Sequence, residues 1–234
     1  MSVLEGKTAL VTGASSGLGA DFARILAEDG CNVVLVARRA DRLEKLQQEI
    51  TAIRPVKTHV IAMDLSATGA SQALYQRVSE LGLSVDVLIN NAGFGIHGNF
   101  VDIPWEREHE MLELDIVTLV HLTKLFVKDM AARNLGYVLL VSSIGAYQPS
   151  PTYATYSAAK SFVLSFGEAI SYELRHTKVK VSVLAPGVAA TPSDIAGADT
   201  ANLASELVGR PAITTRSKYL CTSSPEEYVQ TVTV

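Results

Sequence analysis

A tyrosine and a lysine stand one helical turn apart, at Tyr156 and Lys160, within a stretch of helical periodicity. Side chains four residues apart share one face of an α-helix, so the two groups can interact. An ammonium beside a phenol favours the phenolate and lowers the phenol pKa from its ordinary value near ~10. The pair therefore predicts an acid–base group for proton transfer near neutral pH. Ser143, thirteen residues before Tyr156, supplies a hydroxyl that can orient a carbonyl oxygen.

A glycine-rich turn near the start of the chain predicts a phosphate-binding site. It follows a short apolar run and precedes an amphipathic stretch, which is a strand–turn–helix order. Glycines let backbone N–H groups approach a diphosphate, and the N-terminus of the following helix attracts the anion. The candidate phosphate ligands in this turn are Gly13, Ser15, Ser16, Gly17, Leu18 and Gly19.

The same turn fits the G-x-S-x-G pattern of a serine hydrolase, with Ser15 as the nucleophile. That pattern also needs a strand–turn–helix context, so a hydrolase is an alternative. Two features weigh against a hydrolase. The turn follows the first predicted strand, at the very start of the chain, and the sequence has no H-G-G-G loop to build an oxyanion hole. A Ser15 nucleophile would also need a histidine late in the chain. The last histidine, His176, falls at the C-terminal end of a predicted helix, where a positive charge is favourable, so it is typical of a helix end.

Two arginines, Arg38 and Arg39, follow the second apolar run. In dinucleotide-binding folds an acidic residue at this place binds the ribose 2′-hydroxyl of NAD, whereas an arginine accepts the 2′-phosphate of NADP. A guanidinium suits a phosphate monoester because it offers several N–H donors in a fixed geometry. The sequence therefore predicts NADP(H) in preference to NAD(H).

Short apolar runs alternate with amphipathic stretches along the chain. The runs are rich in Val, Leu and Ile with little polar alternation, which is typical of strands buried on both faces of a parallel sheet. This order predicts an α/β fold with a doubly wound parallel sheet of the Rossmann type, whose ligands bind at the carboxyl ends of the strands. The predicted strands are 8–12, 32–36, 58–62, 86–90, 136–142 and 179–184, and the predicted helices are 17–29, 41–53 (with Asp41 as N-cap), 70–81, 106–132 and 153–176.

The regular pattern ends after Pro186. Residues 191–222 are rich in Ala, Thr, Ser and Gly, and we expect them to form a substrate lid; residues 225–231 are expected to begin a last helix. The length of 234 residues with 48% hydrophobic residues predicts a single domain over residues 1–234.

Composition excludes several classes of protein. The net charge of −4 argues against nucleic acid or an anionic membrane as the main partner, and no apolar run reaches the ~18 residues of a membrane span. The N-terminus has no apolar secretory stretch, so a cytoplasmic location is expected. Cys31 and Cys221 lack zinc or redox spacing, and the histidines lack metal-ligand spacing, so no metal is expected.

The ordered motifs resemble those of the short-chain dehydrogenase/reductase family, of the NADP-preferring type. The family implies an oxidoreductase that interconverts a carbonyl and a secondary alcohol by hydride transfer to and from NADP(H). In it, Tyr156 would be the general acid/base, Ser143 would polarise the carbonyl, and Lys160 would lower the pKa of Tyr156 and hold the nicotinamide ribose. The matching motifs, within residues 5–192, are the glycine-rich turn, Asn90-Asn91-Ala92-Gly93, Ser143, Tyr156-Ser157-Ala158-Ala159-Lys160 and Pro186-Gly187.

The resemblance also implies further cofactor contacts and a homo-oligomer formed through the two longest helices. A small-molecule carbonyl or alcohol would be the substrate. The implied contacts are Asp64 and Leu65 at the adenine, Asn91, Ala92 and Gly93 along the adenosine, and Pro186, Gly187, Val188 and Thr191 at the nicotinamide and pyrophosphate.

The sequence departs from the family pattern at two places. Asp115 stands where the family usually has Asn, and we expect its carboxylate to compete for the charge of Lys160. Members of the family commonly continue through a further helix and a seventh strand, whereas this chain stops at Val234, and we expect an open sheet edge unless a partner chain replaces the missing strand. These departures leave a second hypothesis, a dinucleotide-binding regulatory protein with weak catalysis.

Overall fold

The structure, a computed structural model, describes residues 2–187 and the backbone of residues 229–233. Strands and helices alternate along the first of these ranges, and each of the first five strands is followed by helical structure that returns the chain to the start of the next strand. The strands are β1 (Thr8–Thr12), β2 (Asn32–Ala37), β3 (Thr58–Ala62), β4 (Val87–Asn90), β5 (Gly136–Val141), β6 (Val179–Pro186) and β7 (Val229–Thr233), and the helices are α1 (Gly17–Glu28), α2 (Ala40–Ile53), α3 (Ala70–Glu80), α4 (Trp105–Leu112), α5 (Leu119–Arg133) and α6 (Ala154–Glu173).

The sheet has the order β3-β2-β1-β4-β5-β6-β7, with β1 to β6 parallel. The predicted doubly wound parallel sheet is confirmed. Alternate residues of each strand point to opposite faces: Val33 and Leu35 of β2 belong to the core cluster that includes residues of α1 and α2, whereas Val34 and Val36 belong to the cluster that includes residues of α3, α5 and α6. Because both faces are covered, the strands carry continuous apolar runs rather than alternating ones.

The single long helix predicted over 106–132 is divided. α4 and α5 are joined by a π-helical segment, Glu113–Thr118, which contains the fully buried Asp115. Single π-helical turns inside α-helices are frequent at functional sites. The other helix and strand ends lie within three residues of the prediction, and β1 and β3 match it at both ends. The N-cap of α2 is Arg39, so Asp41 lies in the first turn of that helix instead.

The expected open edge beside β6 is wrong, because β7 covers it. β7 pairs antiparallel to β6, with Val232 opposite Val183 and Thr231 opposite Leu184. The helix predicted over 225–231 is correspondingly wrong for residues 229–231, which are strand. A segment of Val and Thr residues favours an extended backbone, and pairing satisfies the N–H and C=O groups along β6. The lid segment 191–222 lies outside the described residues, and the single-domain division stays a prediction.

Candidate active site

A cleft of about 730 Å³ lies at the carboxyl ends of β1 to β4. It is the place at which a doubly wound sheet binds ligands. Its walls also include Ala37, Met63, Phe94 and Leu114, which are not among the predicted cofactor contacts, although each of the four adjoins a predicted site residue. The cleft brings together these predicted cofactor residues: Gly13, Ser15, Ser16, Gly17, Leu18, Arg38, Arg39, Asp64, Leu65, Asn91, Ala92 and Gly93.

The glycine-rich turn packs tightly against the loop after β4. Gly13 has a φ of +69°, and a Cβ on it would lie 2.8 Å from Nδ2 of Asn91 and 2.9 Å from Cα of Ala92. A Cβ on Gly19 would collide with the Gly13 carbonyl oxygen. Only glycine therefore permits this close approach, and Gly19 serves packing rather than the cleft wall.

Thr12, which sequence reasoning did not select, ties the turn to β4. Its Oγ1 accepts hydrogen bonds of 3.0 Å from the backbone N–H groups of Asn91 and Ala92. Nδ2 of Asn91 in turn donates to the Thr12 carbonyl at 3.0 Å. These bonds fix the two loops that face each other across the cleft. The signal in the sequence was a hydroxyl residue at a strand end, which is too common to be specific.

The two arginines have different surroundings. Arg39 donates to Oγ of Ser15 at 3.0 Å and to Oγ of Ser16 at 3.1 Å. A guanidinium cannot act as a base, so this partner removes support from the hydrolase alternative. Arg38 is 64% exposed, and its Nη1 lies 3.6 Å from Oε1 of Glu110.

Asp64 lies beside Arg38 on the cleft wall. Burial alone would raise the pKa of Asp64, but hydrogen bonds from the hydroxyl and N–H of Ser66, together with the Arg38 charge, lower it below its usual range. The carboxylate is therefore ionised at neutral pH.

The donor set of the cleft fits an anionic dinucleotide. α1 has no acidic residue in its first turn, and no side chain caps its N-terminal N–H groups. A Cβ on Gly17 would meet nothing within 4 Å, so this N-terminus opens onto free space. Together with the Ser15 and Ser16 hydroxyls and two guanidiniums, it offers donors of the kind that suit a phosphate, and the volume lies in the range of small-molecule pockets.

Tyr156 and Lys160 lie together on α6, as their spacing predicts. Lys160 is 5% exposed, and its Nζ is 5.6 Å from the centre of the half-buried Tyr156 ring. Ser143 follows β5 and accepts a hydrogen bond from the Gly145 N–H at 3.2 Å. A Cβ on Gly145 would lie 3.6 Å from Ser143 Oγ and 4.0 Å from Tyr156 Cε1, so both side chains border the same point. Ser143 and Lys160 therefore both lie near the Tyr156 ring.

Asp115 forms a fully buried ion pair with Lys160. Its Oδ2 is 2.9 Å from Lys160 Nζ, and its Oδ1 accepts the Phe94 N–H at 3.1 Å. Burial raises the pKa of Asp115, and the Lys160 ammonium and Phe94 N–H only partly oppose that rise. A Cβ on Gly93 would come 2.8 Å from Asp115 Oδ1, so glycine is needed there. The carboxylate lies where it competes for the lysine charge.

The model of the family described as short chain dehydrogenase matches residues 7–201, which is most of the chain. The chain belongs to the short-chain dehydrogenase family.

Two curated relatives and one solved structure represent the family members that the chain resembles. A very-long-chain 3-oxoacyl-CoA reductase of Aspergillus clavatus is 37% identical over 187 residues, covering 77% of this chain and 53% of that protein. A 7beta-hydroxysteroid dehydrogenase of Collinsella aerofaciens is 33% identical, covering 80% and 71%. A metagenomic short-chain oxidoreductase in complex with NADP is 31% identical, with a TM-score of 0.78 and coverage of 88% and 92%. The chain thus spans about half the length of the matched 3-oxoacyl-CoA reductase.

The remaining predicted residues of this short-chain dehydrogenase family member lie at or beyond β6. Pro186 ends β6 and Gly187 follows it, whereas Val188 and Thr191 lie outside the described residues. Among residues 2–187, no group of three His, Cys, Asp or Glu side chains is arranged to hold a metal ion. In the same part of the chain, no helix is long and apolar enough to cross a membrane.

Proposed function

We propose that the protein is an NADP(H)-dependent oxidoreductase that interconverts a carbonyl and a secondary alcohol. The observation that carries the proposal is the convergence of Ser143, Tyr156 and Lys160 at the carboxyl edge of the sheet. Family membership and the reductase and dehydrogenase names of the relatives support the reaction class. The NADP in the similar metagenomic oxidoreductase and the two arginines at the cleft support the cofactor.

Each converging group has a role in this reaction. When bound, the nicotinamide cofactor supplies or accepts the hydride. The Tyr156 hydroxyl donates a proton to the substrate oxygen during reduction, and its phenolate accepts that proton during oxidation. Ser143 donates a hydrogen bond to the same oxygen and thereby polarises the carbonyl. The Lys160 ammonium favours the Tyr156 phenolate, and Asp115 weakens that effect through the ion pair.

The direct test is turnover by the purified protein. NADPH and NADH would be offered with carbonyl compounds that include a 3-oxoacyl-CoA, and NADP with a 7beta-hydroxysteroid and other secondary alcohols, while nicotinamide absorbance is followed. We expect turnover with at least one pair and a preference for the phosphorylated cofactor. Ester hydrolysis that disappears in Ser15→Ala would instead support the hydrolase.

The buried Asp115–Lys160 pair favours a second candidate function. Because the carboxylate neutralises much of the lysine charge, the Tyr156 phenolate gains less support than an unpaired ammonium would give. A dinucleotide-binding regulatory protein with weak catalysis would have such a site. Cofactor binding in calorimetry without turnover on any substrate would select this function.

Arg38→Ala is expected to weaken NADPH binding about tenfold and NADH binding less than about twofold, as the loss of one exposed charge-assisted phosphate contact implies. The two dissociation constants would be measured by fluorescence titration of the bound nicotinamide. Arg77→Ala, on the distant α3, removes a similarly exposed arginine and is the control. Equal weakening of the two cofactors by Arg38→Ala would contradict the NADP assignment.

Asp115→Asn is expected to lower the pH of half-maximal alcohol oxidation by roughly one unit. Removing the carboxylate frees the Lys160 charge, which then stabilises the Tyr156 phenolate more strongly, so the base forms at lower pH. The pH–rate profile measures this shift. Glu113→Gln removes an equal charge from the same π-helical segment and is the control. A profile that stays unchanged in Asp115→Asn would contradict the competition for the lysine charge.

A further inference from the structure

Glu108 of α4 is a buried acidic residue that the proposed chemistry does not use. It is 5% exposed, and its Oε1 accepts a hydrogen bond of 2.5 Å from Oγ1 of Thr155. Thr155 lies in the first turn of α6 and directly precedes Tyr156. The bond therefore joins α4 to the backbone turn that carries the proposed acid–base residue.

Glu108 and Tyr156 also border a common cavity. It is small, about 10 Å³, which is close to the space of one water molecule. Glu108, Thr155 and Tyr156 contribute its polar side chains, and apolar groups such as Ile96 and Met111 form the rest of its wall. The described walls of this cavity share no residue with the cofactor cleft. A change at Glu108 thus reaches Tyr156 without touching the cleft.

The charge of Glu108 complements the N-terminus of α6. That helix has no acidic residue in its first turn, and its N-cap residue Tyr153 makes no side-chain capping bond. A helix N-terminus carries a partial positive charge, which an anion nearby stabilises. Burying a carboxylate is unfavourable unless it gains such partners, and here the Thr155 hydroxyl and the helix end supply them. The acidic group that the first turn of α6 lacks comes from α4.

We propose that Glu108 is a positioning residue for Tyr156. Through Thr155 it holds the first turn of α6 against α4 and so fixes where the Tyr156 hydroxyl lies, while its charge opposes phenolate formation. This inference rests on the proposed function, because it takes Tyr156 as the group that transfers the proton.

Several other groups also lie around Tyr156. Lys160 lies on the same helix and is paired with Asp115 from the π-helical segment. The Tyr153 ring centre is 6.2 Å from that of Tyr156, and His97 in the loop after β4 lies 5.0 Å from Tyr153. Glu108 is the group that approaches from α4. Substituting it alone keeps the other charges constant.

The first measurement compares variants that keep the hydrogen bond with variants that lose it. Glu108→Gln and Thr155→Ser keep an acceptor and a donor, and their kcat should stay within about threefold of the wild type, whereas Glu108→Leu and Thr155→Val should lose roughly tenfold to a hundredfold through misplacement of the reacting group. The NADPH dissociation constant should change less than about twofold in all four, because the cleft is separate. Glu106→Gln, an exposed residue of the same helix, is the matched control.

The second measurement needs no turnover. The pH midpoint of Tyr156 phenolate formation would be read from ultraviolet absorbance, with Tyr156→Phe subtracting the other tyrosines. Glu108→Gln should lower this midpoint by about half a unit to one unit, because a neighbouring negative charge is removed, and Glu106→Gln should leave it in place.

The proposal would be overturned by bond-losing variants that turn over like Glu106→Gln, or by a phenolate midpoint that Glu108→Gln leaves unmoved. A kcat loss in Glu108→Gln as large as in Glu108→Leu would also overturn it, because the hydrogen bond would then not be the cause. Should the wild type turn over no substrate, the proposed function fails, and the phenolate titration still decides the influence of Glu108 on Tyr156.

Discussion

Tyr156→Phe is expected to lower kcat for carbonyl reduction roughly a thousandfold, which is within the usual contribution of a general acid–base group. Phenylalanine keeps the ring that contacts Lys160 and Tyr153 but has no proton to transfer. The cofactor cleft lies among other side chains, so NADPH binding should stay within about twofold. Steady-state kinetics and a binding titration on the same preparation separate the two effects.

Tyr153→Phe is the matched control for this prediction. Tyr153 directly precedes α6, lies against Tyr156 and His97, and offers the same hydroxyl to be removed. It has no lysine four residues later, since Ser157 occupies that position. Its kcat should therefore remain close to that of the wild type. If turnover were lost in Tyr153→Phe and kept in Tyr156→Phe, the assignment of the proton transfer to Tyr156 would be contradicted.

The elements that position the site could be predicted because their signals are local. Strands covered on both faces leave apolar runs such as that of β1, and the glycines of the first turn stand where the chain must pass close to β4. The side-by-side arrangement of Tyr156 and Lys160 follows from helical periodicity alone. Each of these patterns can be recognised from residues that lie close together in the sequence.

The parts that could not be predicted depend on contacts between distant segments. Glu108 meets Thr155 across 47 residues, and Thr12 meets Asn91 across 79. No spacing between residues in the sequence predicts such contacts. The π-helical segment around Asp115 was also hidden, because one wider turn barely disturbs the helical pattern of apolar residues. For β7, the acidic residues after Pro225 resembled a helix start, but the following Val and Thr residues form a strand.

The two arginines were equivalent in sequence and are distinguished by their partners. Arg39 is held by the hydroxyls of Ser15 and Ser16 within the glycine-rich turn, whereas Arg38 has one long ion pair and an exposed guanidinium. A guanidinium with few fixed partners can turn toward a phosphate with little loss of existing interactions. Arg38 is therefore the better candidate for the 2′-phosphate, and Arg39 for ordering the turn that would receive the pyrophosphate.

Lys160→Met is expected to reduce the free energy of unfolding by about 3–5 kcal/mol, because it leaves the buried Asp115 carboxylate without its counter-charge. Urea denaturation measures the loss. Asp115→Asn in the same chain should recover most of it, since the amide carries no charge and its oxygen can still accept the Phe94 N–H. Lys124→Met, at an exposed position of α5, is the control and should change stability little.

The loss in Lys160→Met should also depend on pH, with a sign that Asp115 fixes. Burial already raises the pKa of Asp115, and removing the ammonium takes away the largest influence that opposes this rise. The folded protein then holds a proton that the unfolded chain releases, so stability is greatest at acidic pH and falls as pH rises through the raised pKa. The double variant has no carboxyl at this position and should lack that slope. Equal slopes in the two variants would mean that the carboxylate of Asp115 finds another partner when Lys160 is removed.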